Sequence, residues 1–324
     1  MIIFSRLIFI FLLSLLSFYA PFIAYLNHSP SVNIEIVDVE NGESINKVLS
    51  KFTNNNLINK IFIRIFIKNN NINSIKTGEY LIKGKTIKEI ILSMQNGETI
   101  THEIRINEGI NIFQLEKLIN ESLMINDCSY LQCLNNQYPF YEGTLFPDTY
   151  FYKKNMKSSL ILNQSRTKLD KFLNNLFVNE YSKNNLTKNE VLILASIIEK
   201  ESGNKGELNL ISSVLMNRLE KNMKLQSDVT VAFGLNMSGS ELKKENLKDK
   251  NVYNTYLHFG LPPTPISYPG EESIKAALRP KKTDFLYFVS DGKGGHRFSN
   301  SYKKHKKNIK LWLKSKKNKK NETN

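Results

Sequence analysis

Apolar residues recur along this chain with two periods, and the places where the period changes mark out its elements. One stretch has no period. Leu7 to Leu26 is almost continuously apolar and has the ~20 residues that cross a bilayer as a helix. Arg6 precedes it and no Lys or Arg follows until Lys47, so residues 1–6 are expected in the cytoplasm and the rest across the membrane. A cleaved leader is the rival, but the run is long for one and no small-x-small site lies near its end. Strand-like alternation then runs from Val32 to Val39, and a helix from Ser44 to Leu49. Ile61 to Ile67 fits either a buried strand or part of a helix. Thr77–Ile82 reads as a turn into a strand, and Thr86–Met94 as an amphipathic helix. Glu103–Asn107 repeats the strand and Ile112–Ile119 the helix, with a turn at Glu108-Gly109. Two strand–turn–helix units predict a small α+β module over 31–122, with a binding or spacing role and nothing catalytic in it.

The pattern after residue 122 is richer in helices. A loop from Asn120 to Pro139 leads to the aromatic turn Tyr141-Glu-Gly-Thr-Leu-Phe-Pro-Asp-Thr-Tyr150. Such a turn serves packing most often, but it also suits sugar stacking. Leu160–Phe177, Ile211–Leu219 and Ile274–Leu278 read as helices. Leu225–Thr230 is short and strand-like or a turn. Gly260-Leu-Pro-Pro-Thr-Pro-Ile266 is a loop stiffened by its prolines. Phe285–Val289 is a buried strand by composition. The glycine-rich turn Asp291–His296 follows it without the spacing of a phosphate-binding loop. Mixed elements of this kind predict one larger α/β domain over 123–302.

One helix stands out, from Thr187 to Gly203. Thr187 and Glu190 have capping-box spacing, and Gly203 falls where a left-handed cap would close the helix. Val191, Leu194, Ile197 and Ile198 define an apolar face, and at about 100° per residue Glu201 continues that face. Glu199 falls at its edge and Lys200 points away. A carboxylate on an apolar stripe must be paired, protonated or functional, because burying it charged is costly. The helix dipole adds to that cost in the last turn. The bland alternative is a solvated carboxylate at a frayed helix end. Glu201 is the leading catalytic candidate.

Composition changes this picture little. The formal net charge is +15, from 45 Lys and Arg against 30 Asp and Glu. The chain is rich in Lys, Asn and Ile throughout, and ten of the lysines fall between Lys303 and Lys320. Segment 303–324 is therefore expected as a basic, solvated tail, with anionic lipid or glycan as the lesser reading. The two cysteines, Cys128 and Cys133, fit neither a zinc site nor a redox pair; a small disulfide and two free thiols are both open. The five His have no metal-ligand spacing, so no metal and no cofactor is expected. His296 and His305 read as structural.

Several motifs fall in one order. They are Glu142-Gly143 with Leu145-Phe146-Pro147-Asp148-Thr149-Tyr150; Ala195-Ser-Ile-Ile-Glu-Lys-Glu-Ser202; Leu225-Gln-Ser-Asp228; Tyr253-Asn-Thr-Tyr256 with Gly260-Leu-Pro-Pro263; and Leu286-Tyr-Phe-Val289 through Gly295-His-Arg-Phe298. In that order the chain resembles the endolytic murein transglycosylase (YceG-like) family over almost everything after the apolar run. Val229 and Thr264 depart from the pattern, where proline and glycine are usual. The resemblance implies an inner-membrane anchor at 7–26, a LysM-like module and a periplasmic catalytic domain. It also implies cleavage of peptidoglycan between N-acetylmuramic acid and N-acetylglucosamine, and makes penicillin-binding glycan synthases plausible partners. The family's catalytic glutamate matches Glu201.

A lytic transglycosylase needs no second carboxylate, since the substrate's own C6 hydroxyl replaces water. Expected substrate contacts are Gln226, Asp228, Tyr253, Asn254 and Tyr256, whose polar and aromatic groups suit sugars; for each the plainer reading is a hydrogen-bonding network shaping the loop. A membrane-anchored, non-catalytic glycan-binding or scaffold protein is the rival function. Nucleic-acid binding rests on charge alone and conflicts with the expected topology.

Overall fold

The computed structural model describes residues 13, 16–30, 34–54, 56–135, 137–179 and 186–322. The chain forms two compact units: Met1–His102 with Phe151–Met156, and Glu103–Tyr150 with Lys157–Asn324. It is α+β, and the described strands form three two-stranded sheets.

In the first unit, β1 (Ile36–Val39) pairs antiparallel with β2 (Gly78–Leu81), placing Val37 opposite Tyr80. Helix α1 (Ile45–Leu49) starts at Ser44, whose side chain accepts from the Lys47 amide. The ambiguous apolar run is helical: α2 (Leu57–Asn69) is capped by Asn56 and buries Phe62, Ile63 and Phe66 on one face. Helix α3 (Ile87–Asn96) opens with the Thr86–Glu89 capping box and closes at Gly97 in the left-handed conformation. Val37, Val39, Val48, Phe62, Tyr80 and Ile91 share one core. Phe22 and Leu26, at the end of the helical stretch 16–26, lie in that same core, with the Phe22 ring 5.6 Å from Phe62. Among the described residues no helix is long and apolar enough to cross a membrane. Residues 7–12, 14 and 15 of the expected span lie outside the described residues.

The chain crosses between the units within β3 (His102–Arg105) and β4 (Thr149–Tyr152). Helix α4 (Ile112–Asn120) therefore belongs to the second unit, not to a module ending near residue 122. The reason is backbone pairing: Gly109 N–H donates to Tyr268 O and Tyr268 N–H to Ile110 O, both at 2.8 Å. Cys128 and Cys133 are joined as a disulfide, which closes a short loop.

Helices α5 (Ser158–Asn179), α6 (Lys188–Glu201) and α7 (Leu208–Glu220) form the body of this unit, completed by α8 (Asp228–Gly234) and α9 (Glu271–Leu278). Helix α6 is its axis. The Thr187–Glu190 box opens it as expected, and every residue from Val191 to Ile198 is buried. It is apolar all round rather than along one stripe, because α7 and α9 flank it. Its C-terminus differs from expectation: Ser202 is the cap, in extended conformation, and Gly203 does not take positive φ. Leu225–Thr230 is not a strand either, since Asp228 begins α8.

A hairpin of β5 (Tyr287–Ser290) and β6 (His296–Ser299) follows, half-buried rather than buried throughout. The Lys-rich segment is not a loose end. Helix α10 (Tyr302–Glu322) packs on that hairpin. Lys303, Lys306, Lys307, Lys310 and Lys314 are exposed on it.

Glu142 is a buried acid away from the cavity described below. Its carboxylate accepts from Ile112 N at 2.9 Å and Gly143 N at 3.3 Å, yet burial dominates and pushes its pKa up to about 8. The folded chain therefore keeps a proton here that the unfolded chain loses above its ordinary carboxyl pKa of 4.5. Stability attributable to this group is full below that value and falls as pH rises to about 8, by at most about 1.4 kcal/mol per pH unit. Urea titrations should show Glu142→Gln removing that part of the decline; parallel stability–pH curves for the two proteins would contradict it.

Candidate active site

A cavity of about 590 Å³ in the second unit opens where α6 ends. Glu201 is its acid. As the last residue of α6 it is carried in by eight buried residues before it and is only half-buried itself. Its backbone ends the helix while its side chain reaches the cavity wall, where Ser227 Oγ donates to Glu201 Oε1 at 2.5 Å. Burial is the largest influence on this carboxyl and raises its pKa; the Asp228 charge adds to the rise. The Ser227 hydrogen bond and the charges of His296 and Arg218 pull the other way without overcoming it. The group is thus biased toward holding a proton where ordinary glutamates have lost theirs.

Ser227 is aimed by a strained backbone. The preceding Gln226 takes φ 51°, a left-handed conformation that costs a non-glycine residue about 1–3 kcal/mol and persists only when its surroundings impose it. Those surroundings are Thr255 O, which accepts from Gln226 N at 3.1 Å, and Thr255 Oγ1, which accepts from Ser227 N at 3.0 Å. Arg218 supplies the rest. Its Nε donates to Leu286 O at 2.7 Å and its Nη1 to Leu225 O at 2.8 Å, tying α7 to the hairpin and to the 225–227 turn. Its guanidinium also lies 5.1 Å from the centre of the Tyr287 ring.

Of the expected substrate contacts, Gln226, Asp228 and Tyr256 line the cavity with Glu201. Asp228 Oδ1 accepts from the Tyr256 hydroxyl at 2.6 Å, so these two act as a unit; burial and that bond push the Tyr256 phenol well above its ordinary range. Tyr253 and Asn254 do not line it. The Tyr253 ring packs edge-on against Phe233 at 4.9 Å, and its hydroxyl meets Thr264 Oγ1 at 3.0 Å. Asn254 is fully buried, donates to Leu247 O and Asp249 O, and accepts from Tyr256 N. Both shape the loop that presents Tyr256.

Ser227, Arg218 and His296 enter the site without having been expected there. His296 lines the cavity, and Glu207 clasps it: His296 N donates to Glu207 Oε1 at 3.1 Å, and Nδ1 meets Oε2 at 2.8 Å. No group of three or more His, Cys, Asp or Glu among the described residues could hold a metal. Glu199 has a different task from its neighbour. It accepts from Gly270 N at 3.0 Å and Ser273 Oγ at 2.7 Å, which closes the N-terminus of α9.

Fold and cavity together define an α+β protein with a single desolvated acid at a helix end, facing polar and aromatic walls. The chain belongs to the YceG-like family, whose profile matches residues 37–311. It is 28% identical over 307 residues to the endolytic murein transglycosylase of Bacillus subtilis, covering 86% of this chain and 85% of that one. A protein of the same name from Streptococcus pneumoniae is 27% identical over 80% of this chain, which spans about half of that relative (54%). The crystal structure of a yceG-like protein from Listeria monocytogenes matches with a TM-score of 0.56 and 29% identity, over 84% of this chain and 98% of its own.

The two glutamates should separate experimentally. Glu199→Ala leaves a helix start without its acceptor and should cost about 1–3 kcal/mol in urea unfolding. Stability unchanged within error would contradict that role.

Proposed function

We propose that this chain is an endolytic murein lytic transglycosylase. It cuts peptidoglycan glycan strands between N-acetylmuramic acid and N-acetylglucosamine and leaves a 1,6-anhydro-muramic end. The observation that carries this reading is the placing of the Glu201 carboxyl in the wall of the cavity against Ser227, where burial raises its pKa. The name shared by the relatives supports it.

In this reading protonated Glu201 donates to the glycosidic oxygen as the C1–O bond breaks. The C6 hydroxyl of the same muramic residue closes on C1 and returns its proton to Glu201. One carboxyl serves both steps, and no water is consumed. Hydrolytic glycosidases divide the work between two carboxylates; here intramolecular attack replaces the second and avoids the entropy of recruiting a reactant. Gln226 and the Asp228–Tyr256 pair contact sugar hydroxyls.

The wider architecture is part of the same proposal. The apolar run that begins at Leu7 anchors the chain in the inner membrane, with the N-terminus in the cytoplasm, and its last turn, Phe22 to Leu26, packs into the core of the first unit. The part of the first unit that follows the run is the LysM-like module, and the catalytic unit works in the periplasm beside penicillin-binding glycan synthases. The charge bias around the apolar run supports the orientation. The Cys128–Cys133 disulfide suits an oxidising compartment.

Glu201→Gln should keep the fold and lower anhydro-end formation by about 10²–10⁴, read by mass spectrometry of digested glycan strands. For the native protein the rate should fall as pH rises and Glu201 loses its proton, with that limb above the ordinary carboxyl range. Undiminished anhydro product from the variant would refute the assignment and leave the scaffold reading.

A further inference from the structure

The lining of the cavity is of two kinds. Glu201, Ser227 and Asp228 are polar. Much of the aromatic lining comes from α10: Tyr302, His305, Ile309 and Trp312 line the cavity at steps of three, four and three residues, which is one helix face. Helix packing alone would seal such residues. Instead Tyr302 is 57% exposed and Trp312 half-buried. Lys316 holds its Nζ 5.5 Å from the centre of the Trp312 rings, and His305 stacks on Tyr287 at 5.0 Å with an interplanar angle of 23°. Burial and the Arg218 charge lower the His305 pKa, which favours the neutral imidazole in this stack.

From this geometry we infer that the aromatic face of α10, centred on Trp312, is a sugar-binding subsite of the cavity. A pyranose ring has an apolar C–H face that matches an aromatic plane, and small-ligand sites combine apolar and aromatic walls with a few placed polar groups. A sugar against Trp312 holds the strand while the acid in the same cavity works on the linkage. This inference rests on the glycan-cleaving reading. It gives the C-terminal helix a part in substrate binding, with the lysines on its outer surface.

The chain carries its own reporter, because Trp312 is its only tryptophan. Uncrosslinked glycan strands, freed of peptide, would be titrated into the full-length Glu201→Gln protein while tryptophan emission and acrylamide quenching are followed. Binding should shift the emission to the blue and protect it from quenching. In the native protein Trp312→Ala should raise KM by about tenfold with kcat nearly unchanged, and Trp312→Phe should restore most of the loss. Strands that co-sediment with the protein while emission and quenching stay constant would overturn the subsite. So would an unchanged KM in Trp312→Ala, or a kcat/KM that rises because the helix had obstructed the cavity. If the native protein yields no anhydro ends and binds no strands, the glycan-cleaving reading fails first and the subsite falls with it.

Discussion

Removing the Glu201 carboxyl from water is the constraint on which the second unit is built. A negative charge in the last turn of a helix is opposed by the dipole, and burial adds to that opposition. Arg218, His296 and the Ser227 hydroxyl each favour the charged form, yet burial and the Asp228 charge outweigh them. The balance is set by position. Eight consecutive buried residues of α6 deliver the acid, and Arg218 ties the far wall and the 225–227 turn into place around it. Burial thus holds the proton on this carboxyl to a higher pH than on a solvated glutamate, which is what the proposed general-acid role requires.

The Glu-Lys-Glu triplet shows how helix geometry divides labour among neighbours. Two residues before the acid, Glu199 points to α9 and satisfies the amide of Gly270 and the hydroxyl of Ser273. Lys200 turns to the Gly109 carbonyl at 3.1 Å. Two of the three residues thus hold the scaffold, and one faces the cavity. A shift of α6 by one residue would bring Lys200 or Ser202 to the place of Glu201, so the seating of its buried face decides which side chain meets the cavity.

The acid was legible because capping and period fix a helix locally. Thr187 and Glu190 give the start, and the recurrence of Val191, Leu194 and Ile197 sets the phase that places Glu201. The loop residues were less legible. Tyr253 and Asn254 have the chemistry of sugar contacts, but a polar side chain that satisfies buried backbone looks the same in sequence as one that awaits a ligand. Ser227 carries no spacing signal, since its role comes from a fold-back that brings residues 26 apart into a hydrogen bond. Helix α10 was misread for another reason. Its lysine count suggested a solvated end, while the 302, 305, 309, 312 periodicity was already present beneath it.

The protonation state of Glu201 tests these ideas most directly. Carbon-13 resonances of side-chain carboxyls, assigned by comparison with Glu201→Gln, would be followed through a pH titration of the folded protein. The structure requires the Glu201 midpoint to stand clearly above the ordinary value of 4.5. A midpoint at or below that value would mean a solvated or fully paired carboxylate, and the general-acid role would have to be given up.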